Sequence, residues 1–272
     1  MKLAVSNLAW SVTDYAAVAG VLRAEGVRGV ELAPGKVWTR APRVAEGVAE
    51  VYAAWWRDAG SEIVAFQAIL FGRPELTLFG DAAAVSATQR HLLDMGRLAR
   101  RCGATVLVLG APGNRKRGER SMPAAISAAA RALRPVAEGL APWGVQLCIE
   151  PNPPRYGCDF VTTAAEAAVL ADAVGHPNFG VHLDAAALAL SGETTEAALS
   201  PVMPHVRHVH VSEVDLAAVG TTDTVPHAAI GAALRALGYD GWYSVEMRLG
   251  EDDLWREAIP RAAGVVRECY AG

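Results

Sequence analysis

The chain is poor in cysteine and carries no surplus of basic charge. Its four cysteines (Cys102, Cys148, Cys158 and Cys269) lie far apart in 272 residues, and no C-x-x-C pair occurs. That excludes a disulfide framework or a zinc knuckle and fits reduced thiols, so a cytoplasmic location is expected. Lys and Arg number 25 against 29 Asp and Glu, a net charge of −4. Nucleic-acid binders carry a basic surplus, so no nucleic-acid partner is expected. No run reaches the roughly 20 uninterrupted apolar residues of a membrane span. The opening MKLAVSNLAW is broken by Ser6 and Asn7 and lacks the apolar length of a signal peptide. G-x-S-x-G, H-E-x-x-H, G-x-x-x-x-G-K-[ST] and G-x-G-x-x-G are all missing, which leaves the common hydrolase, zincin, P-loop and dinucleotide-binding chemistries without support.

What is present is alternation. Apolar residues make up 52% of the chain and charged ones 20%, enough for a full core. Short Val/Ile/Leu-rich runs at 3–7, 29–32, 63–67, 105–110, 145–150, 179–184, 206–211 and 243–246 read as strands. Helical periodicity fills 13–25, 42–59, 84–102, 123–141, 163–174, 194–200, 227–237 and 252–268. Thr162-Thr163-Ala-Ala-Glu166 offers a capping box. Gly26, Gly60, Gly103, Gly144 and Gly238 stand where helices hand over to strands. With no linker or charge block, the whole of 1–272 is one domain. Eight strand–helix units of about 34 residues each predict a (β/α)8 TIM barrel, for which about 250 residues is typical. A doubly wound sheet would need a glycine-rich phosphate loop after an early strand, and the first strand ends in SNLAW.

In a barrel the C-terminal strand ends share one rim, where active sites are built. Stepping by two along the last four strands gives the inward sets Gln146, Cys148, Glu150; Gly180, His182, Asp184; His208, His210, Ser212; and Trp242, Ser244, Glu246. Three carboxylates and an imidazole then converge at the mouth. Like charges so placed raise one another's pKa unless a cation joins them. Oxygen-rich ligation with one nitrogen suits one divalent ion, Mn²⁺ first, with Mg²⁺, Co²⁺ or Zn²⁺ also able to bind.

The stretches IEPNP (149–153), GVHLD (180–184), HVHVSE (208–213) and GYDGWYSVEM (238–247) resemble those of the xylose-isomerase-like barrels. These include sugar-phosphate isomerases and epimerases, ketose 3-epimerases, inosose dehydratase and endonuclease-IV-type enzymes. The resemblance spans the chain in strand order and implies Glu150, Asp184, His210 and Glu246 as metal ligands. It further implies an isomerase or epimerase of a sugar, sugar phosphate or keto-sugar. There Glu150 and Glu246 would move a proton through a metal-stabilised enediolate. A lyase or dehydratase on a keto-sugar or inosose shares that first step and loses a β-group afterwards. Endonuclease-IV-type repair needs a multi-zinc cluster with more histidines, and a non-catalytic binding subunit needs no ligand set. Dimers and tetramers are common among such barrels, so a homo-oligomer is compatible.

Departures from the pattern are as informative. Ala187 stands where ketose 3-epimerases usually carry His, and Leu216 where they usually carry Arg. His182 and His208 point inward on the same strands and are candidates for substrate contact or for holding a ligand in place. Glu31 ends the second strand and is expected to support the ligands from behind. Gln67 ends the third strand, where many relatives have His, and is a substrate-binding candidate. The loop GAPGNRKRGER overhangs the rim. Asn114 and Arg115 in it, with the cluster running to Arg120, are candidates for an anionic group on a small carbohydrate substrate. Trp10 follows the first strand and is a candidate apolar wall for a sugar.

Overall fold

The structure, a computed structural model, describes residues 1–249 and 254–271. Eight parallel strands close into a barrel in sequence order: β1 (Lys2–Ser6), β2 (Gly29–Leu32), β3 (Glu62–Phe66), β4 (Val106–Leu109), β5 (Gln146–Ile149), β6 (Phe179–Asp184), β7 (Val206–Ser212) and β8 (Trp242–Glu246). The chain is therefore a single-domain (β/α)8 barrel, as its alternation predicts. Strands in such a barrel are covered on both faces, which is why β2, β4 and β6 are buried end to end.

The glycines expected at helix ends all take positive φ, from 66° at Gly26 and Gly144 to 98° at Gly60. Thr163 caps the helix Ala164–Val174 by accepting from the Glu166 N–H, and Glu166 reaches back to the Thr162 N–H. The helix expected from residue 42 instead begins at Val48, because Gly47 sits at φ +82° just before it. After β6 the short helix Ala185–Ser191 precedes the expected one, here Glu196–Leu199. Asp184 itself caps the added helix, accepting from the Ala187 N–H at 2.8 Å. The last expected helix runs Trp255–Val266, followed by a π-turn at Arg267–Ala271; positions 252 and 253 lie outside the described residues. Among the described residues no helix is long and apolar enough to cross a membrane.

Inside the barrel the side chains stack in layers. Ala4, Val64, Ala65, Val106, Val108 and Cys148 form the apolar interior, with Trp242 packed against it. A methyl group on Gly29 would stand 2.7 Å from both Ala4 and the Trp242 ring, so glycine is required to admit the indole. Above this plug, register sets the polar layers: His182 pairs with His208, Asp184 with His210, and Ser212 with Glu246.

Candidate active site

The lower polar layer is built around Glu31, which is fully buried at the end of β2. His208 Nε2 and His210 Nε2 each lie 3.0 Å from the same oxygen, Glu31 Oε2. Burial pushes the Glu31 carboxyl up, but the two imidazoles outweigh it and hold the group well below its usual range. Burial opposes charge on His210 as well. Glu31 and Glu246 nevertheless keep that imidazole well above its ordinary value.

The upper layer opens into a cavity of about 840 Å³ lined by Glu150, Asp184, Ser212 and Glu246. His210 Nδ1 lies 3.3 Å from Glu246 Oε2 and 3.9 Å from Asp184 Oδ2. Asp184 Oδ2 also accepts from the Ser212 hydroxyl at 2.5 Å. Glu150 Oε1 is 3.8 Å from His182 Nε2. Its other oxygen lies against Gly110, where a Cβ would stand 2.1 Å from it. Burial first, then the charges of Asp184 and Glu246, push the Glu150 carboxyl up to about 8. Burial and Glu246 likewise raise Asp184. These are the shifts of buried carboxylates crowded together, which the neighbouring His210 offsets only in part.

The donor set fits a divalent cation. One donor atom from each of Glu150, His182, Asp184 and His210 lies within 4.8 Å of the others, and His182, His208 and His210 form a second such group. His210 Nε2 is tied to Glu31, which leaves Nδ1 turned toward the carboxylates with no hydrogen-bond partner. A carboxylate behind a ligating imidazole is the usual way to fix its tautomer and orientation. Both ring nitrogens of the fully buried His182 are also unpartnered, and burial keeps that imidazole neutral. Glu246 comes close to His210 but is not in either four-atom or three-atom group.

The expected substrate-binding residues divide. Gln67 lines the cavity and donates to the Ser6 hydroxyl. His182 and His208 are fully buried beneath the carboxylates rather than on the cavity wall. Arg115 requires a correction. It is 1% exposed, and its guanidinium donates to the carbonyls of Gly110, Glu150, Phe160 and Val161 and to Asn152 Oδ1. Five acceptors leave it nothing for a substrate anion; it braces the loop after β5. The rest of that basic loop is similarly committed, Lys116 to Gly157, Arg117 to Asp159, and Arg120 to Phe79. Asn114 lies on the cavity wall, but its amide donates to the carbonyls of Arg73 and Leu76. Trp10 is corrected too: it is 2% exposed and packs 6.2 Å from Trp56, and Leu8 takes the place on the wall.

Other wall residues escaped the sequence reading. Phe71, Tyr156, Asp215 and Arg248 line the cavity from the loops after β3, β5, β7 and β8. Ala187 and Leu216, singled out as departures, are both on the wall. Among the described residues, the non-glycine ones with positive φ are Ala68, Ala111, Val161, Asp215 and Leu216, and every one is in a loop at this rim. Each such conformation costs about 1–3 kcal/mol and persists where its surroundings enforce it, commonly at functional sites.

Fold and site together define a (β/α)8 barrel with a cation-competent carboxylate–imidazole cluster at its C-terminal mouth. The chain belongs to the xylose isomerase-like TIM barrel family, whose model matches residues 20–268. Among curated proteins no relative matches the sequence. Solved structures do match. A D-psicose 3-epimerase from Clostridium cellulolyticum H10, with D-tagatose, aligns over 99% of each chain at 16% identity and a TM-score of 0.83. A 3-keto-D-glucoside 4-epimerase from E. coli aligns over 99% of this chain and 100% of its own, at 18% identity and 0.79. A zinc-bound IolI protein aligns over 100% and 98%, at 15% identity and 0.78.

Proposed function

We propose that the chain is a divalent-metal-dependent isomerase or epimerase of a sugar or keto-sugar. The observation that carries the reading is that Glu150 and Glu246 reach one cavity from strands three places apart, with Asp184 and His210 between them. Two carboxylates flanking a bound substrate can take a proton from one face and return one to the other. The epimerases among the structural neighbours support the reaction class, and the zinc of the IolI neighbour supports a cation.

Glu150, Asp184, His210 and Glu246 would hold the ion, and a bound divalent ion would polarise the carbonyl of an α-hydroxy carbonyl substrate. Oxygen-rich ligation makes Mn²⁺ the first choice. Glu31 keeps His210 oriented, and Ser212 keeps Asp184 in place. Whichever glutamate faces the acidic C–H acts as base, and the other delivers the proton. The enediolate of the substrate lies between them.

The test is solvent-deuterium exchange into ketoses and keto-glucosides by the Mn²⁺-loaded protein, read by NMR and mass. Deuterium at a carbinol carbon without loss of mass is expected. Loss of water would give a dehydratase instead. Full turnover by both Glu150→Gln and Glu246→Gln would sink the acid–base assignment.

A further inference from the structure

The loop after β3 is a long continuous piece of the cavity wall: every residue from 67 to 74 lies on it. No helix or strand holds it there. Ala68 enters it at φ +52°, and short turns close Phe71 on Ala68, Arg73 on Leu70 and Leu76 on Arg73. Behind it His91, 6% exposed on the helix Ala82–Cys102, grips the loop twice. His91 Nε2 is 2.8 Å from the Ile69 carbonyl oxygen, and Nδ1 is 3.1 Å from Arg73 Nη1. A carbonyl only accepts and a guanidinium only donates. Nε2 therefore carries the proton and Nδ1 the lone pair, so only the neutral ring satisfies both contacts. A second proton would set an N–H against the Arg73 cation.

Resting on the isomerase or epimerase reading, we propose that His91 is a positioning residue for the site. Neutral, it holds the loop after β3 as cavity wall; on gaining a proton it releases Arg73 and lets that wall lift. The charged groups bearing on His91 are Arg73 and Glu75 from the loop and Asp94 one turn along its own helix. Burial first, and Arg73 with it, keeps the imidazole below its ordinary value against the pull of the Ile69 carbonyl and the two carboxylates. The latch is therefore closed at neutral pH and opens on the acid side of 6.5. A buried imidazolium beside a guanidinium needs water, and water reaches it only when the loop leaves the helix. Arg73 can swing away, since its side chain is 41% exposed and its Nε pairs with the exposed Glu75 at 2.5 Å. Asn114 holds the far end, donating to the carbonyls of Arg73 and Leu76, so the stretch from Ala68 to Gly72 is the part that moves.

Amide hydrogen exchange read by mass spectrometry tests this without requiring turnover. Between about pH 7.5 and 5.5, and after correction for the intrinsic rate, the loop after β3 is expected to lose about tenfold in protection, the worth of one hydrogen bond to a charged donor. The amides of β4 serve as the internal reference and should keep theirs. His91→Gln offers a donor and an acceptor that do not titrate, and is expected to remove the pH dependence. His91→Leu should leave the loop unprotected at both pH values; if that variant fails to fold, the glutamine variant decides alone. Parent protection that does not change with pH, or a His91→Gln loop as acid-sensitive as the parent's, overturns the proposal. So does a folded His91→Leu protein with full loop protection. In turnover, KM should rise severalfold on the same acid limb in the parent and stay level in His91→Gln, while both share the kcat limb set by the site's carboxylates. Failure of solvent deuterium to enter any sugar would instead sink the isomerase reading and leave the acid-sensitive loop measurable.

Discussion

Glu31 and His210 meet across the barrel, from β2 and β7, at 3.0 Å between Oε2 and Nε2. That one contact sets which nitrogen of His210 faces the cavity. With Nε2 held as donor to Glu31, Nδ1 is the lone-pair nitrogen toward Asp184 and Glu246 once a cation replaces its proton. Glu31→Gln keeps the shape but removes the charge behind the imidazole. Loss of such a partner weakens a metal site about 10–100-fold. Equilibrium dialysis against Mn²⁺ checks this, and an unchanged affinity would mean that Glu31 serves only the fold.

The crowded carboxylates also fix how the metal-free protein responds to pH. Native Glu150 holds its proton up to about 8, whereas the unfolded carboxyl releases it near 4.5. Stability therefore falls as pH rises through that interval. His210, with its native pKa raised, contributes stability that is complete below 6.5 and lost above it. Between pH 6.5 and 8 the native state binds more protons than the unfolded one on both counts, so stability must fall. Below 6.5 His182 works in the opposite sense, because the unfolded imidazole takes a proton that the buried one refuses. Thermal scans in EDTA should show Tm declining from pH 6.5 to 8. Scans with Mn²⁺ should flatten or reverse that slope, since a cation displaces those protons. A rising Tm in EDTA over this window would show that the carboxylates are ionised and balanced by another charge.

The barrel was legible because its signal is local: each strand is a short apolar run and each helix end carries its own glycine or capping pair. The inward rows of β6 and β7 were legible for the same reason, since a strand's period of two does not depend on its neighbours. The place of Arg115 was hidden because four of its five acceptors are backbone carbonyls, up to 46 positions away, and carbonyls leave no mark in a sequence. Trp10 follows the correct strand, but the turn Asn7–Ala9 rotates it onto Trp56. The aromatic mouth was invisible because Phe71 and Tyr156 come from separate loops with no periodicity to link them.

Arg115 gives the sharpest separation between a binding residue and a structural one. Substituting it by Ala strands four carbonyls and the Asn152 amide oxygen in a buried loop. Losing a charged donor of this kind costs on the order of 3 kcal/mol. For a domain of this size that is a Tm drop of roughly 6–12 °C. An anion-binding arginine would instead raise KM for an anionic substrate and leave Tm alone. Thermal denaturation of Arg115→Ala decides between them.

Gly110 should matter more to chemistry than to stability. It follows β4, and its backbone does not lie in the left-handed region, so alanine is permitted there by conformation. The obstacle is the Glu150 carboxylate, 2.1 Å from where a Cβ would stand. The alanine methyl must therefore displace that carboxylate by more than an ångström. A misplacement of about 1 Å in a reacting group can cost on the order of a hundredfold in rate. Gly110→Ala is expected to lower kcat about that much and to weaken Mn²⁺ binding, with Tm shifted by only a few degrees. The paired measurement is deuterium exchange alongside a thermal scan. Near-normal exchange would show that Glu150 can be moved without consequence, and the proton would then have to be handled by another group.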